Sequence, residues 1–287
     1  MTYKDKLKHR TAEAGNGICM GMDPVLGRIP LKGPPQEVIK EFYHSILNEM
    51  VRKSVYPAAV KPNLAFYEGI DLECVKALRE LIPDFQAQGI LVILDAKRGD
   101  IGKTSACYAK MAFEVFHSDA VTVAPYMGRD SIRPFQDLSR DQGIYVLART
   151  SNAGASDFQE TPLKEDGFPL YRLVAEKISA WNDGNLGAVV GATAPRELEE
   201  LLSFWISGRG EVPCLIPGVA VKNVAGGQGG TMENVLQSIA AAGGDKGLHL
   251  INSSSGLNYA HEKYPDLKFQ EATVTALQEL IADWNGG

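Results

Sequence analysis

Two carboxylates and a lysine stand in Asp95-Ala96-Lys97-Arg98-Gly99-Asp100, directly after the apolar run Ile90-Leu91-Val92-Ile93-Leu94. The run reads as a buried strand, so its two-residue period projects Asp95 and Lys97 the same way at its carboxyl end. Asp100 lies just beyond, ahead of a helical stretch over 103–117. An ammonium bracketed by carboxylates makes a poor core, because each charge loses hydration unless its neighbours compensate. The same arrangement holds a lysine protonated beside a reacting carbon, which suits the quenching of a carbanion. Lys61 ends a second apolar run and Asp23 follows a third. If strands 2 and 3 are adjacent, Lys61, Asp95, Lys97 and Asp100 form one alternating charge array. The competing reading of these residues is an ion-pair network that only closes a sheet rim.

Eight short apolar runs recur, at 17–22, 58–61, 90–94, 120–124, 144–148, 187–191, 213–216 and 248–252. Most are continuous rather than alternating, as strands buried on both faces should be. Amphipathic segments of helix length fall between them, for example at 37–53, 71–88, 103–117, 170–182, 195–204 and 231–242. No linker or low-complexity tract divides the chain, so 1–287 is expected to be one domain with a short polar N-terminal extension. Eight β–α alternations within about 250 residues predict the α/β class and a (β/α)8 TIM barrel. A doubly wound open sheet would carry a glycine-rich turn after its first strand. That strand ends instead in Met22-Asp23-Pro24, with no G-x-G-x-x-G. Barrel chemistry gathers at the carboxyl ends of strands. Asp23, Lys61, Asn63, Asp95, Lys97, the segment Arg149-Thr150-Ser151-Asn152 and the loop from Gly218 all fall there.

The loop 217–230 is dense in glycine and follows strand 7, where barrels present backbone N–H groups to phosphate. Gln228, set among its glycines, is the side chain placed to reach a ligand, unless the loop is merely flexible surface. Thr150-Ser151-Asn152 has the donors and acceptors for a planar amide-bearing ring, or for a helix cap or turn. Pro125-Tyr126-Met127-Gly128-Arg129-Asp130 reads as mainly structural. The net charge of −6 with no basic block argues against nucleic acid as a partner. No apolar stretch reaches the ~20 residues of a membrane span. The basic start, 1–10, is not followed by the apolar region of a signal peptide. Four cysteines without a CxxC pair and five histidines without ligand spacing predict neither structural zinc nor disulfides, which suits a reducing cytoplasm.

Gly21-Met22-Asp23-Pro24, Val60-Lys61-Pro62-Asn63-Leu64-Ala65-Phe66-Tyr67-Glu68 and Leu94-Asp95-Ala96-Lys97-Arg98-Gly99-Asp100-Ile101-Gly102, in that order, resemble the orotidine 5'-phosphate decarboxylase family, specifically its longer bacterial type. The resemblance continues through the segments starting at Pro125, Arg149, Val190 and Pro217. It implies a homodimeric barrel that converts orotidine 5'-monophosphate to UMP in pyrimidine biosynthesis without metal or cofactor. Lys97 would protonate C6 and Asp95 would crowd the leaving carboxylate. Lys61 and Asp23 would contact the ribose hydroxyls and the charge array, with Asn63 beside them. Asp100 and Thr104 would be donated by the partner subunit. Ser151, with Asn152, would bind the pyrimidine amide, and Gln228 would bridge base and phosphate above Gly218.

One departure stands out. The family places an arginine for the phosphate after strand 8, and here Ser255 occupies that position in Asn252-Ser253-Ser254-Ser255-Gly256. Losing a guanidinium–phosphate contact costs about 2–4 kcal/mol of binding, so a raised KM is expected. The lid also looks lengthened over 220–225, where Lys222 offers a point charge. Two other readings remain open. One is a nucleotide-binding protein that lost its phosphate anchor, against which the intact charge array argues. The other is a related barrel enzyme acting on sugar phosphates with Mg²⁺, which EDTA would distinguish.

Overall fold

The computed structural model describes residues 1–164, 167–219 and 230–286. Eight parallel strands close into a barrel in chain order. They are β1 (Ile18–Met22), β2 (Ala59–Pro62), β3 (Leu91–Arg98), β4 (Ala120–Val123), β5 (Gly143–Arg149), β6 (Leu186–Val190), β7 (Cys214–Pro217) and β8 (Leu250–Ser253). The runs read from sequence therefore become the strands to within a few residues. At 248–252 the onset differs: Leu248 ends a 3₁₀ turn and pairing starts at Leu250. Among the described residues, no helix is long and apolar enough to cross a membrane.

Strand parity sorts the core into two layers. Cys19, Ala59, Leu91, Ile93, Ala120, Tyr145, Val189, Leu215 and Leu250 cluster together inside the barrel. Their alternate neighbours, such as Met20, Val60, Val92, Val121 and Ile251, pack outward against the helices. Two residues further along the inward column come Lys61 on β2, Asp95 on β3 and Thr122 on β4, so pleating alone aims them into the mouth.

The N-terminal segment read as a polar extension forms helix α1 (Tyr3–Ala14), entered through a capping box between Thr2 and Asp5. Tyr3 and Leu7 are buried and join the inner cluster, plugging the amino-terminal end of the barrel. Gly143, at the start of β5, leaves space for the Tyr3 ring, which a Cβ there would strike.

Outside the strands lie α2 (Pro35–Lys53), α3 (Ala65–Glu68), α4 (Leu72–Ala87), α5 (Gly102–Lys110), α6 (Arg129–Leu138), α7 (Leu170–Trp181), α8 (Pro195–Ser207), α9 (Met232–Ala241), α10 (Ser255–Asn258) and α11 (Phe269–Gly286). The single helix expected over 103–117 is in fact two pieces. α5 stops at Lys110 and one π-helical turn, Met111–Val115, completes it before His117 turns to φ +51°. The segment read as mainly structural after β4 starts α6, whose signal is blurred by Gly128 ahead of it and Pro134 within it.

Candidate active site

β3 does not end at Leu94. It runs on to Arg98 through a register shift against β4 between Leu94 and Arg98. Lys97 sits in that irregularity at φ +44°, a left-handed conformation that a lysine adopts only when the surroundings impose it. One imposing contact is the Lys97 backbone N–H, which donates to Thr122 Oγ1 at 2.9 Å.

Asp95 is the hub of the site. Its Oδ2 accepts from Lys61 Nζ at 2.6 Å, and its Oδ1 accepts from Lys97 Nζ at 2.6 Å and from Thr122 Oγ1 at 2.8 Å. Lys61 and Asp95 are nearly inaccessible, whereas the Lys97 side chain is 48% exposed at the mouth. Burial alone would disfavour the Asp95 carboxylate, but the ammonium groups of Lys61 and Lys97 reverse that and hold it at about 2. Burial likewise opposes the Lys61 charge, and Asp95 with Asp23 outweighs it, so its pKa lies above the ordinary value. The Lys97 Nζ is thus held against an ionised carboxylate while its side chain stays half exposed at the mouth.

Asp23 reaches the same rim from β1. A clasp from α10 holds the turn that carries it. Ser254 Oγ donates to Asp23 Oδ2, and Asn258 Nδ2 donates to the Gly21 carbonyl at 2.7 Å. The Tyr259 hydroxyl donates to the Asp23 carbonyl at 2.8 Å and accepts the Val25 N–H at 2.7 Å. Gly21 lets Ser254 come this close, since a Cβ would collide with it. The second carboxylate oxygen, Asp23 Oδ1, is buried with no hydrogen-bond partner among the described residues. Asn63 bridges to Asp95 through the backbone, extending β2 toward the mouth.

The array expected from sequence is only partly assembled within one chain. Asp100 does not pair with Lys97; its Oδ1 accepts its own neighbour's N–H, from Ile101, at 2.7 Å. Thr104 is exposed on the first turn of α5. Ser151 and Asn152 are exposed after β5, with the Ser151 backbone against Gly191 and its side chain facing Gly218, across the ends of β6 and β7. Arg149 is committed to structure, donating to Glu160 and to the Thr150 carbonyl at 2.5 Å each. Gly218, at φ +95°, opens the loop after β7, and its carbonyl accepts from Gly230 N–H at 2.9 Å to close the loop's base. Gln228 and Lys222 lie outside the described residues. Ser255 is exposed as the first residue of α10.

Four residues, Thr122, Ser254, Asn258 and Tyr259, escaped sequence reasoning. Thr122 hides inside an apolar run as an ordinary β-former, and only its even spacing from Ala120 marks it as inward-facing. Ser254, Asn258 and Tyr259 follow β8 with no chemical signature of their own.

A closed (β/α)8 barrel carrying a carboxylate wedged between two lysines at its carboxyl-terminal mouth has the architecture of an enzyme. Comparison with known proteins narrows the class. A family model described as "Orotidine 5'-phosphate decarboxylase / HUMPS family" matches residues 47–248. A Thermomicrobium roseum protein named orotidine 5'-phosphate decarboxylase is 41% identical over 242 residues, 82% of this chain and 80% of that one. One of the same name from Janthinobacterium is 39% identical and aligns over 97% of this chain and 96% of its own. The solved OMP decarboxylase of Leishmania donovani, 32% identical, superposes with a TM-score of 0.78, covering 100% of this chain and 98% of that one. The chain belongs to the orotidine 5'-phosphate decarboxylase / HUMPS family.

Proposed function

We propose that this protein decarboxylates orotidine 5'-monophosphate to UMP, a step of pyrimidine biosynthesis, using side chains alone and working in the cytoplasm. The observation that carries the reading is the Asp95 carboxylate gripped at 2.6 Å by both Lys61 and Lys97, with Lys97 alone open to the mouth. The substrate carboxylate would lie beside Asp95. The bond from C6 to that carboxylate breaks, CO2 leaves, and its electron pair stays on C6. An N–H bond of Lys97 then breaks as the C6–H bond forms, and the resulting amine regains its proton from water. No electron sink is needed if the developing charge is met by a preorganised ammonium. A positioned acid of this kind contributes about 10²–10⁴ in rate.

The remaining roles follow from position. Asp23 Oδ1 has an unfilled acceptor site for a ribose hydroxyl, and Lys61 lies next to it, with Asn63 on the same rim. Ser151 Oγ and the Asn152 side-chain amide N–H would pair with the pyrimidine amide, Asn152 Oδ1 being held by the Thr150 hydroxyl at 2.6 Å. Gly218, Gln228 and Ser255 would border the phosphate. Asp100, half-buried and not ion-paired with Lys97 within one chain, and Thr104, exposed, would complete the array of a second copy. The exposed apolar residue between them, Ile101 at 49%, supports a homodimer closing over this rim.

The test follows the ultraviolet absorbance of orotidine 5'-monophosphate with purified protein in EDTA. Metal-independent turnover is expected. A requirement for Mg²⁺ with a sugar phosphate would favour the other chemistry of the family, and UMP binding without turnover would reduce the protein to a nucleotide binder.

A further inference from the structure

Helix α7 is apolar beyond its fully buried face, with Val174 and Trp181 only partly packed on the core. Tyr171, Ala175 and Ile178 are buried against the barrel at i, i+4 and i+7. A second stripe, Leu170, Leu173, Val174, Lys177 and Trp181, runs at i, i+3, i+4, i+7 and i+11 and would ordinarily be solvated and polar. Instead it lines a cleft of about 670 Å³, whose other lining residues include Leu147 and Ala148 of β5. Tyr126 and Phe158 stand at the same cleft, exposed by 90% and 68%. Its size and lining are those of small-molecule sites, which run from about 300 to 1,000 Å³ with apolar walls and few polar groups.

The charge of this cleft is one-sided. Among the described residues no carboxylate lines it, and Lys177 is the one charged lining residue. Lys177 is exposed and has no ion-pair partner among the described residues, whereas Arg172 on the same helix is paired with Glu176 and Glu200. The cleft also touches the rim. Gln159 lines it, while its Oε1 accepts the Thr150 N–H and its Nε2 donates to Thr150 Oγ1, both at 2.7 Å.

We propose that this cleft is a second binding site, separate from the barrel mouth, for a flat apolar monocarboxylate. The ring system would lie among Leu173, Val174 and Trp181 and the carboxylate would pair with Lys177. Through Gln159, occupancy is felt at Thr150 and hence at Ser151 and Asn152; this linkage rests on the reading of that segment as the pyrimidine site, whereas binding itself does not.

Isothermal titration calorimetry of the full chain with 2-naphthoate, beside its neutral analogue 2-naphthamide, tests the site. We expect saturable binding of the carboxylate, about tenfold tighter than the amide. Lys177→Met should erase that preference, and Val174→Trp should fill the cleft and abolish binding while thermal unfolding stays cooperative. Absent binding, equal affinity for the two probes, or binding that survives Val174→Trp would overturn the proposal. Competition by UMP at constant total sites would place the probe in the barrel mouth and overturn it as well. For the linkage, saturating UMP should shift naphthoate affinity severalfold in the parent and not in Gln159→Ala; an unshifted parent would refute the linkage alone. None of these readings requires turnover, so failure of the decarboxylase assay would leave the site standing.

Discussion

The two ends of the barrel are built on the same inward-facing columns of residues and solve opposite problems. At the amino-terminal floor, Tyr3 and Tyr145 meet edge to face with ring centroids 5.9 Å apart, and their hydroxyls pair at 3.0 Å. Nearby, the inaccessible His249 accepts the Cys214 N–H on Nδ1 and contacts Glu211 with Nε2 at 2.9 Å. The Tyr3–Tyr145 and Cys214–His249–Glu211 contacts satisfy one another, as a plug requires. At the mouth, the columns end in Asp23, Lys61, Asp95 and Lys97, a backbone in left-handed conformation, and a buried carboxylate oxygen without a partner among the described residues. Such unsatisfied and strained groups persist where a ligand completes them. The floor holds the barrel shut so that the mouth can keep its charges in place.

The sharpest way to break this contrast is a matched pair of truncations. Tyr3→Ala empties a large buried side chain and should cost about 3–5 kcal/mol of unfolding free energy. Asp95→Ala strands the buried Lys61 ammonium and should cost a similar amount, about 3–5 kcal/mol. Denaturant unfolding should rank the two alike, while decarboxylation per folded molecule survives only in Tyr3→Ala. If Tyr3→Ala loses turnover as Asp95→Ala does, the division of labour is wrong.

A smaller effect is expected at Ser255. Restoring the guanidinium in Ser255→Arg should raise kcat/KM by about 30-fold or more, corresponding to about 2–4 kcal/mol, mainly through a lower KM. An unchanged kcat/KM would show that the phosphate is anchored elsewhere.

The mouth should also report on acid. The Asp95 carboxyl is held at about 2 in the folded chain against an ordinary 3.8, so the folded state binds this proton less readily than the unfolded state. Its contribution, about 2 kcal/mol, is complete above roughly pH 4 and is lost as pH falls toward 2. Equilibrium unfolding between pH 5 and 2 should therefore be less steep in Asp95→Asn than in the parent. Equal slopes would mean that other carboxylates dominate.

The smallest expected change is at Thr122→Val, which removes one hydrogen bond to Asp95 and one from the Lys97 backbone. About 1 kcal/mol of stability and about tenfold in kcat should be lost. A variant with full kcat would show that Lys97 needs no support from β4.

Much of this was legible in the residues. The eight strands follow from continuous apolar runs, because a strand covered on both faces needs apolar residues at every position. Lys61, Asp95 and Lys97 stood out because charge at the end of such a run has few structural uses. The unread parts depend on pairing between strands. Thr122 becomes a partner of Asp95 only through the β3–β4 register, and that register is shifted by the irregularity at Lys97. The clasp of Ser254 and Tyr259 on Asp23 and of Asn258 on Gly21 joins residues about 230 apart in sequence, brought together by closure of β8 onto β1. Asp100, which the resemblance assigns to the site of a second copy, accepts the Ile101 N–H within its own chain.

The central claim is that Lys97 delivers the proton at the mouth while contributing little to the fold. The most direct test is kcat for orotidine 5'-monophosphate in Lys97→Ala, measured in EDTA together with its thermal unfolding. We predict a fall of about 10⁴-fold, with a Tm within a few degrees of the parent because the side chain is half exposed. Turnover within tenfold of the parent, from an equally stable protein, would contradict the account.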